Sequence, residues 1–214
     1  MRKTLFYFGF IILFFTSCTD DRTIPEQKII VDPNSQLIFY WNFNSLVGTA
    51  TTIAPDFESS TATASIEYNG TGAGYMDADT GGYTINAQNN DLGENLLKVR
   101  NPSDTRSLIL NVPTTGYKSV IVQFATARSP NTGATIQNYS YTIDGINYIQ
   151  TGLTKITQNT TADLPDLIAL DFSNIAAVNN NPNFKVKIDF DGDTISGTSG
   201  NNRFDNVTLE GAPN

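Results

Sequence analysis

Carboxylates, amides and tyrosines are the side chains through which this chain could do chemistry, because it has no histidine and a single cysteine. The missing histidine removes the commonest general base and the commonest metal ligand. One cysteine excludes a disulfide within the chain and any cysteine-rich zinc site. The glutamates are scattered, and no serine stands in a GxSxG turn. We therefore expect no enzymatic activity.

Residues 69–92 are rich in glycine, tyrosine and aspartate and predict a long loop, which in a compact domain is commonly functional or mobile. Tyr75 and Tyr83 could stack on sugar rings, and Asp77 and Asp79 could accept hydrogen bonds from sugar hydroxyls. We predict a glycan-binding role for these four residues. The alternative is that both tyrosines plug the rim of the fold.

The last predicted strand contains a carboxylate in an apolar pattern. If the side chains of this strand alternate, Asp205 lies on the core side together with Val207 and Leu209. A buried carboxylate is costly unless it is paired or bound to a cation. Asp205 could therefore bind a cation, accept backbone amide hydrogen bonds or pair with an arginine. The candidate arginines are Arg100, Arg106 and Arg203.

The chain begins with a short basic segment, residues 1–3, followed by an apolar run over residues 5–15. This run is too short to span a bilayer but fits the apolar region of a signal peptide. Phe15-Thr16-Ser17-Cys18 resembles the lipobox of bacterial lipoproteins, although Phe15 stands where leucine is usual. The resemblance implies cleavage before Cys18, which would carry the lipid anchor. The alternative is an ordinary secretory signal with a chance cysteine.

The segment after the cysteine bears on location and partners. Thr19-Asp20-Asp21 resembles the surface-export signal of lipoproteins in the Bacteroidetes lineage, which implies a lipid-anchored position on the outer membrane, exposed at the cell surface. A solvated acidic linker is the alternative.

The formal net charge of −8 argues against a nucleic-acid partner. We predict a signal peptide over residues 1–17, a tether over 18–35 and one domain over 36–214.

From residue 37 onward, apolar and polar residues alternate with a period of two, which is typical of strands with one buried face. The clearest runs are 37–43, 107–112, 119–124 and 184–190. Asp144-Gly145 predicts a hairpin turn of type I′ between two further strands. Weaker patterns at 62–68, 96–99, 167–172 and 203–209 bring the total to about nine or ten strands. Trp41 shares the apolar face of its strand and is predicted to be core.

Three segments carry a family resemblance: Tyr40–Asn44, Tyr139–Gly145 and Arg203–Leu209. Their order and spacing resemble the jelly-roll, carbohydrate-binding-module-like accessory domains of secreted and lipid-anchored bacterial proteins. The resemblance implies an all-β antiparallel sandwich of jelly-roll type that binds glycan without catalysis. An adhesion module that binds another envelope or extracellular protein is the alternative.

Two further site assignments follow from these resemblances. In related jelly rolls, an aspartate of the last strand and oxygen ligands from the opening strand often hold a structural calcium, which implies a site at Asp205 and Asn44. Asn44 stands where an acidic residue is common. Asp193-Thr194-Ile195 resembles the three-residue O-glycosylation motif of the same bacterial lineage, which implies a glycan on Thr194.

Overall fold

A computed structural model describes residues 31–70 and 73–214. The described chain forms fourteen strands and one short 3-10 helix, Ala176–Val178. The strands are β1 Gln36–Trp41, β2 Thr49–Ala50, β3 Thr52–Ile53, β4 Phe57–Glu58, β5 Ser65–Glu67, β6 Met76–Thr80, β7 Asn95–Arg100, β8 Ser107–Asn111, β9 Tyr117–Arg128, β10 Ile136–Thr142, β11 Thr157–Asn159, β12 Asp166–Asp171, β13 Lys185–Asp191 and β14 Asn201–Pro213. Within these ranges, no helix is long and apolar enough to cross a membrane.

The strands form two antiparallel sheets that pack face to face. The larger sheet has the order β12-β9-β14-β7-β6-β2, with β1 and β4 added beside the second half of β14. The smaller sheet has the order β11-β10-β13-β8-β5-β3. Both sheets are curled, and the predicted all-β jelly-roll sandwich is confirmed. The strands beyond those predicted are mostly two or three residues long, too short to show a period.

The core lies between the inner faces of the two sheets and is dominated by aromatic rings. Phe124 of β9 meets Tyr139 of β10 with ring centroids 6.1 Å apart, and Phe172 meets Phe184 at 4.9 Å. Such edge-on aromatic pairs add to the stabilisation from burial alone. Trp41 has no exposed surface, so its predicted place in the core is confirmed.

Strand β14 is interrupted by a β-bulge at Asn206. Pairing with β9 shifts in register between Asp205 and Thr208, and Asn206 has a φ of 50°. Phe204 and Val207 both lie in the core, so the bulge breaks the strict alternation between them. The prediction that Asp205 shares the core side with Val207 is therefore wrong. Asp205 is buried on the outer side of the larger sheet, against Tyr83.

The segment after β10 forms a hairpin, although its turn differs from the predicted type. Tyr141 and Ile149 pair in an isolated antiparallel bridge, and Gly145 has a φ of 81°. Asp144 keeps a negative φ, so the turn is not type I′. Its carboxylate instead accepts the backbone N–H groups of Ile146 and Asn147. These hydrogen bonds fix the position of the residues that follow, including Tyr148.

Residues 69–92 do not form one continuous loop. Strand β6 lies within them and pairs with β7 in the larger sheet, so the prediction of an unbroken loop is wrong. The sequence of β6, MDADT, has only two apolar residues, which is why no strand was expected. The true connection is shorter and runs from residue 81 to residue 94.

The single tryptophan offers a direct test of this packing. We expect Trp41 fluorescence in the native protein to be blue-shifted and protected from acrylamide, because the indole ring is buried and its Nε1–H donates to the backbone carbonyl of Ile53. The measurement is an emission spectrum with a quencher titration, and protein unfolded in urea is the control. A native spectrum like that of the unfolded protein would contradict the buried position.

Candidate functional site

The four predicted sugar-binding residues lie on the outer side of the larger sheet. Met76 points into the core, so the alternation of β6 places Asp77 and Asp79 on the outer face. Tyr75, two residues before Asp77, lies on the same face. The next connection brings Tyr83 over β14, on the same side of the sheet. We call these four residues the tyrosine face. The structure therefore brings together residues that the sequence placed in one loop.

The carboxylates of the tyrosine face are engaged with neighbouring cations. Asp77 accepts two hydrogen bonds from the Arg100 guanidinium, both at 2.8 Å, and Lys98 lies 3.8 Å away. Lys98 is also 3.2 Å from Asp79. The hydrogen bonds that Arg100 donates to Asp77, together with the charge of that carboxylate, raise the pKa of Arg100 above its ordinary value. This part of the face is an ordered row of neutralised charges.

The two tyrosines of the face have different surroundings. Tyr75 is 37% exposed, which leaves ring surface available to a ligand. Tyr83 is half-buried, and its backbone N–H donates to Asp205 Oδ2 at 2.6 Å. Burial raises the pKa of the Tyr83 hydroxyl, and the adjacent Arg203 lowers it. Tyr83 is thus fixed against the sheet, and ligand binding by the tyrosine face stays a prediction.

Asp205 accepts backbone hydrogen bonds, as one of the sequence alternatives predicted. Its two carboxylate oxygens take the N–H groups of Tyr83 and Asn206, the latter at 2.8 Å. Burial raises the pKa of Asp205 to about 7, the two N–H groups oppose this rise, and nearby Asp91 adds to it. A carboxyl group buried on the outer face therefore holds the start of the 81–94 connection.

Asn44 belongs to a polar network next to Asp205. Its Oδ1 accepts the N–H of Asn95 at 2.8 Å, and its Nδ2 donates to Asp91 at 3.0 Å. The hydroxyl of Tyr40 links Asp91 to Asn206, which follows Asp205 in β14. The network therefore connects the end of the first strand to the last strand through hydrogen bonds alone.

The side-chain oxygens of Asp205 and Asn44 do not fit a preformed calcium site. Calcium takes six to eight oxygen ligands, whereas the oxygens of Asp205 and Asn44 already accept protein N–H groups. In the described part of the chain, no group of three or more acidic, histidine or cysteine side chains could hold a metal ion. Calcium binding at Asp205 and Asn44 stays a prediction for experiment.

Of the two predicted modification sites, Thr194 lies among the described residues and Cys18 does not. Thr194 is half-buried in a turn after β13, and its hydroxyl lies 3.5 Å from the carbonyl oxygen of Gly133. Its O-glycosylation stays a prediction. The predicted lipidation site, Cys18, lies outside the described residues.

The smaller sheet presents a candidate site that sequence reasoning missed. Ser140, Lys187, Ile109 and Glu67 are successive cross-strand partners on β10, β13, β8 and β5. Their chain neighbours point into the core, so this row crosses the outer face of the sheet. We call this face the groove. The Ser140 hydroxyl at its floor is buried and has no hydrogen-bond partner among the described residues.

Tyr148 forms one wall of the groove. Its ring lies over the ammonium group of Lys187, 5.0 Å from the ring centroid, in a cation–π contact. Burial raises the pKa of its hydroxyl, and the charges of Glu67 and Asp189 raise it further. Tyr148 therefore lies on the same side of the smaller sheet as the row from Ser140 to Glu67.

One sequence signal could have indicated the groove. The strict alternation over residues 184–190 marks Lys185, Lys187 and Asp189 as outward-facing, and Tyr148 follows the hairpin turn at Asp144-Gly145. Periodicity identifies the outer face of each strand. It does not say which strands are neighbours, and the order β10-β13-β8-β5 is what makes one row of these residues.

The raised pKa of Asp205 predicts a pH dependence of stability. Because folding raises this pKa from 3.8 to about 7, the folded state binds the proton more tightly, and this stabilisation is lost as pH rises from about 4 to 7. Between pH 5 and pH 8 we expect the free energy of unfolding to fall by about 3 kcal/mol. Urea unfolding of the wild type and of Asp205→Asn at both pH values measures the difference. An equal fall in the variant would contradict this origin.

The predicted calcium site would make the stability of the protein depend on calcium. If Asp205 and Asn44 bind calcium, the melting temperature at pH 8 must be higher with calcium than with EGTA. Asp205→Asn and Asn44→Ala should each remove that difference, and magnesium should not replace calcium. A differential scan of the wild type and both variants decides the question. A wild-type melting temperature unchanged by calcium would refute the site.

The comparisons with known proteins concern the fold. No family model matches the sequence, and no curated protein matches it. Among solved structures, the chain is similar to the CBM22-1 xylan-binding domain from Paenibacillus barcinonensis Xyn10C, with a TM-score of 0.51 and 9% identity over 84% of this chain and 97% of that one. The CBM22-2 xylan-binding domain of the same protein is similar with a TM-score of 0.50 and 10% identity, over 81% of this chain and 99% of that one. The chain thus shares the β-sandwich fold of carbohydrate-binding modules.

Proposed function

We propose that the protein is a non-catalytic carbohydrate-binding module whose ligand lies in the groove of the smaller sheet. The observation that carries the proposal is the row of Ser140, Lys187 and Glu67 across the curled smaller sheet, with the ring of Tyr148 over Lys187. An aromatic ring can stack on the apolar face of a pyranose, and the polar groups can bond its hydroxyls. The similar xylan-binding domains support the proposal through their fold.

The groove suits a sugar better than the tyrosine face does. On the tyrosine face, the carboxylates of Asp77 and Asp79 already satisfy Lys98 and Arg100, and Tyr83 is fixed against the sheet. In the groove, Tyr148 adds a half-buried ring beside the Ser140 hydroxyl, which has no partner among the described residues; the Tyr83 hydroxyl of the tyrosine face is buried without a partner as well. Because an unpaired buried polar group is costly, a ligand hydroxyl that reaches Ser140 would gain free energy. The tyrosine face is kept as the competing location.

The cellular setting of this activity is also part of the proposal. Lipidation of Cys18 would anchor the protein to the outer membrane, and Thr19-Asp20-Asp21 would direct it to the cell surface. There the domain would capture polysaccharide as an accessory to other proteins. The support for this setting is the order of signal peptide, cysteine and acidic residues in the sequence.

Affinity electrophoresis of the purified protein in gels that contain xylan, β-glucan, galactan or mannan tests the activity and its location. We expect retardation by at least one polysaccharide. Tyr148→Ala should weaken binding about tenfold or more, equivalent to about 1.4 kcal/mol, because the stacking surface is lost. Tyr148→Phe should retain most of the affinity, because the ring remains.

The double variant Tyr75→Ala/Tyr83→Ala is the matched control, since it removes two tyrosines from the other sheet. If this variant loses retention while Tyr148→Ala keeps it, the glycan site is the tyrosine face and the groove assignment is wrong. No retention of the wild type by any plant, algal or host glycan would contradict glycan binding and favour a protein partner from the envelope.

A further inference from the structure

A separate concave surface lies at one end of the larger sheet, away from the groove. This cleft of about 290 Å³ opens between the turn that follows β1, strand β4 and the connection over residues 88–94. We call it the amide cleft, because Asn42, Gln88, Asn89 and Asn90 are among the residues that line it. None of its lining residues belongs to the tyrosine face or to the groove.

The floor of the amide cleft is held rigidly by hydrogen bonds. Asp91 accepts hydrogen bonds from the Asn44 amide and the Gly93 N–H, each at 3.0 Å, and from the Tyr40 hydroxyl at 3.1 Å. Burial raises the pKa of Asp91, but these hydrogen bonds outweigh it and keep the pKa below its ordinary value. Opposite, Asp56 accepts the N–H groups of Asn42 and Phe43. A ligand would therefore meet a preformed site.

The rim offers groups that match a sugar. Asn89 and Asn90 both adopt left-handed backbone conformations, with φ values of 53° and 61°, and both are exposed. An amide side chain carries both donors and acceptors, as a sugar hydroxyl does. Phe57 is 38% exposed at the same cleft and provides an aromatic surface beside these amides. The amides could bond the hydroxyls at the edge of a pyranose, and the aromatic ring could stack on its face.

The charge of the residues that line the cleft favours a neutral sugar over an anionic one. None of the described residues that line the cleft is basic, and Asp56, Asp91 and Glu94 contribute carboxylates. An anionic sugar would meet repulsion without a compensating cation. The volume is at the lower end of the range for small-molecule sites, which favours one sugar unit over a long chain segment.

We infer that the amide cleft is a second carbohydrate site that binds a single neutral pyranose, such as the terminal unit of a glycan. The inference rests on the proposed glycan-binding function and adds a separate site with a different ligand. The groove would bind the length of a polysaccharide, whereas the amide cleft would bind a chain end or a free monosaccharide.

Saturation-transfer NMR with the full chain tests the second site. The probes are the methyl glycosides of xylose, glucose, galactose and mannose, with methyl glucuronide as the anionic counterpart. Asn89→Gly/Asn90→Gly removes two amides, and glycine accepts the left-handed backbone at no steric cost. Phe57→Ala removes the ring. Asn131→Gly is the matched control, because Asn131 is exposed and left-handed, with a φ of 63°, but lies outside the cleft.

We expect the wild type to bind at least one neutral glycoside and not the glucuronide. Both cleft variants should weaken that binding about tenfold, while Asn131→Gly and Tyr148→Ala leave it unchanged. Unchanged affinity in both cleft variants, loss of monosaccharide binding in Tyr148→Ala, or the absence of any neutral binding would overturn the second site. Retention by polysaccharide gels reports on the groove, because chain ends are rare there, so the two proposals fail separately.

Discussion

The β-bulge at Asn206 is the constraint on which the outer side of the larger sheet depends. It lies in β14, the strand that pairs with β9, β7 and β1. By adding one residue, the bulge turns two consecutive side chains, Asp205 and Asn206, towards the 81–94 connection. Asp205 accepts the N–H of Tyr83, and Asn206 donates to the carbonyl groups of Tyr83 and Ile85. The connection is thereby fixed over the sheet, and its later residues form one wall of the amide cleft.

The two sheets consequently offer different surfaces to a ligand. Part of the larger sheet is covered by the 81–94 connection, and strands β6 and β7 carry the row of ion pairs among Asp77, Lys98 and Arg100. On the smaller sheet, the hairpin after β10 reaches inward from one edge and places Tyr148 over Lys187. The outer face of that sheet thus carries one aromatic ring above a row of polar side chains. The order of the strands and the position of one hairpin, more than any sequence motif, create this arrangement.

Much of the fold could be predicted from the sequence, because residues with one buried face alternate with a period of two. That pattern identified the sandwich and the buried position of Trp41. It failed where the backbone departs from regular geometry or where a strand is polar: the bulge moved Asp205 to the other side of the sheet, and β6 carries two aspartates. The groove depends on which strands are neighbours, and long-range pairing leaves no local signal. The sequence pattern therefore does not place Tyr148 beside Lys187.

The distribution of charge connects the proposed sites to one class of ligand. The chain carries a net charge of −8, and among the described residues Lys98, Lys187 and Arg203 on the sheet faces each pair with an aspartate. The amide cleft receives none of them. An anionic polysaccharide would thus be repelled at long range and would find its local cations already neutralised. A neutral, hydroxyl-rich polymer meets neither obstacle, since stacking and hydrogen bonding require no net charge. If the proposed sites bind glycan, the acidity of the chain would therefore favour neutral sugars over anionic ones.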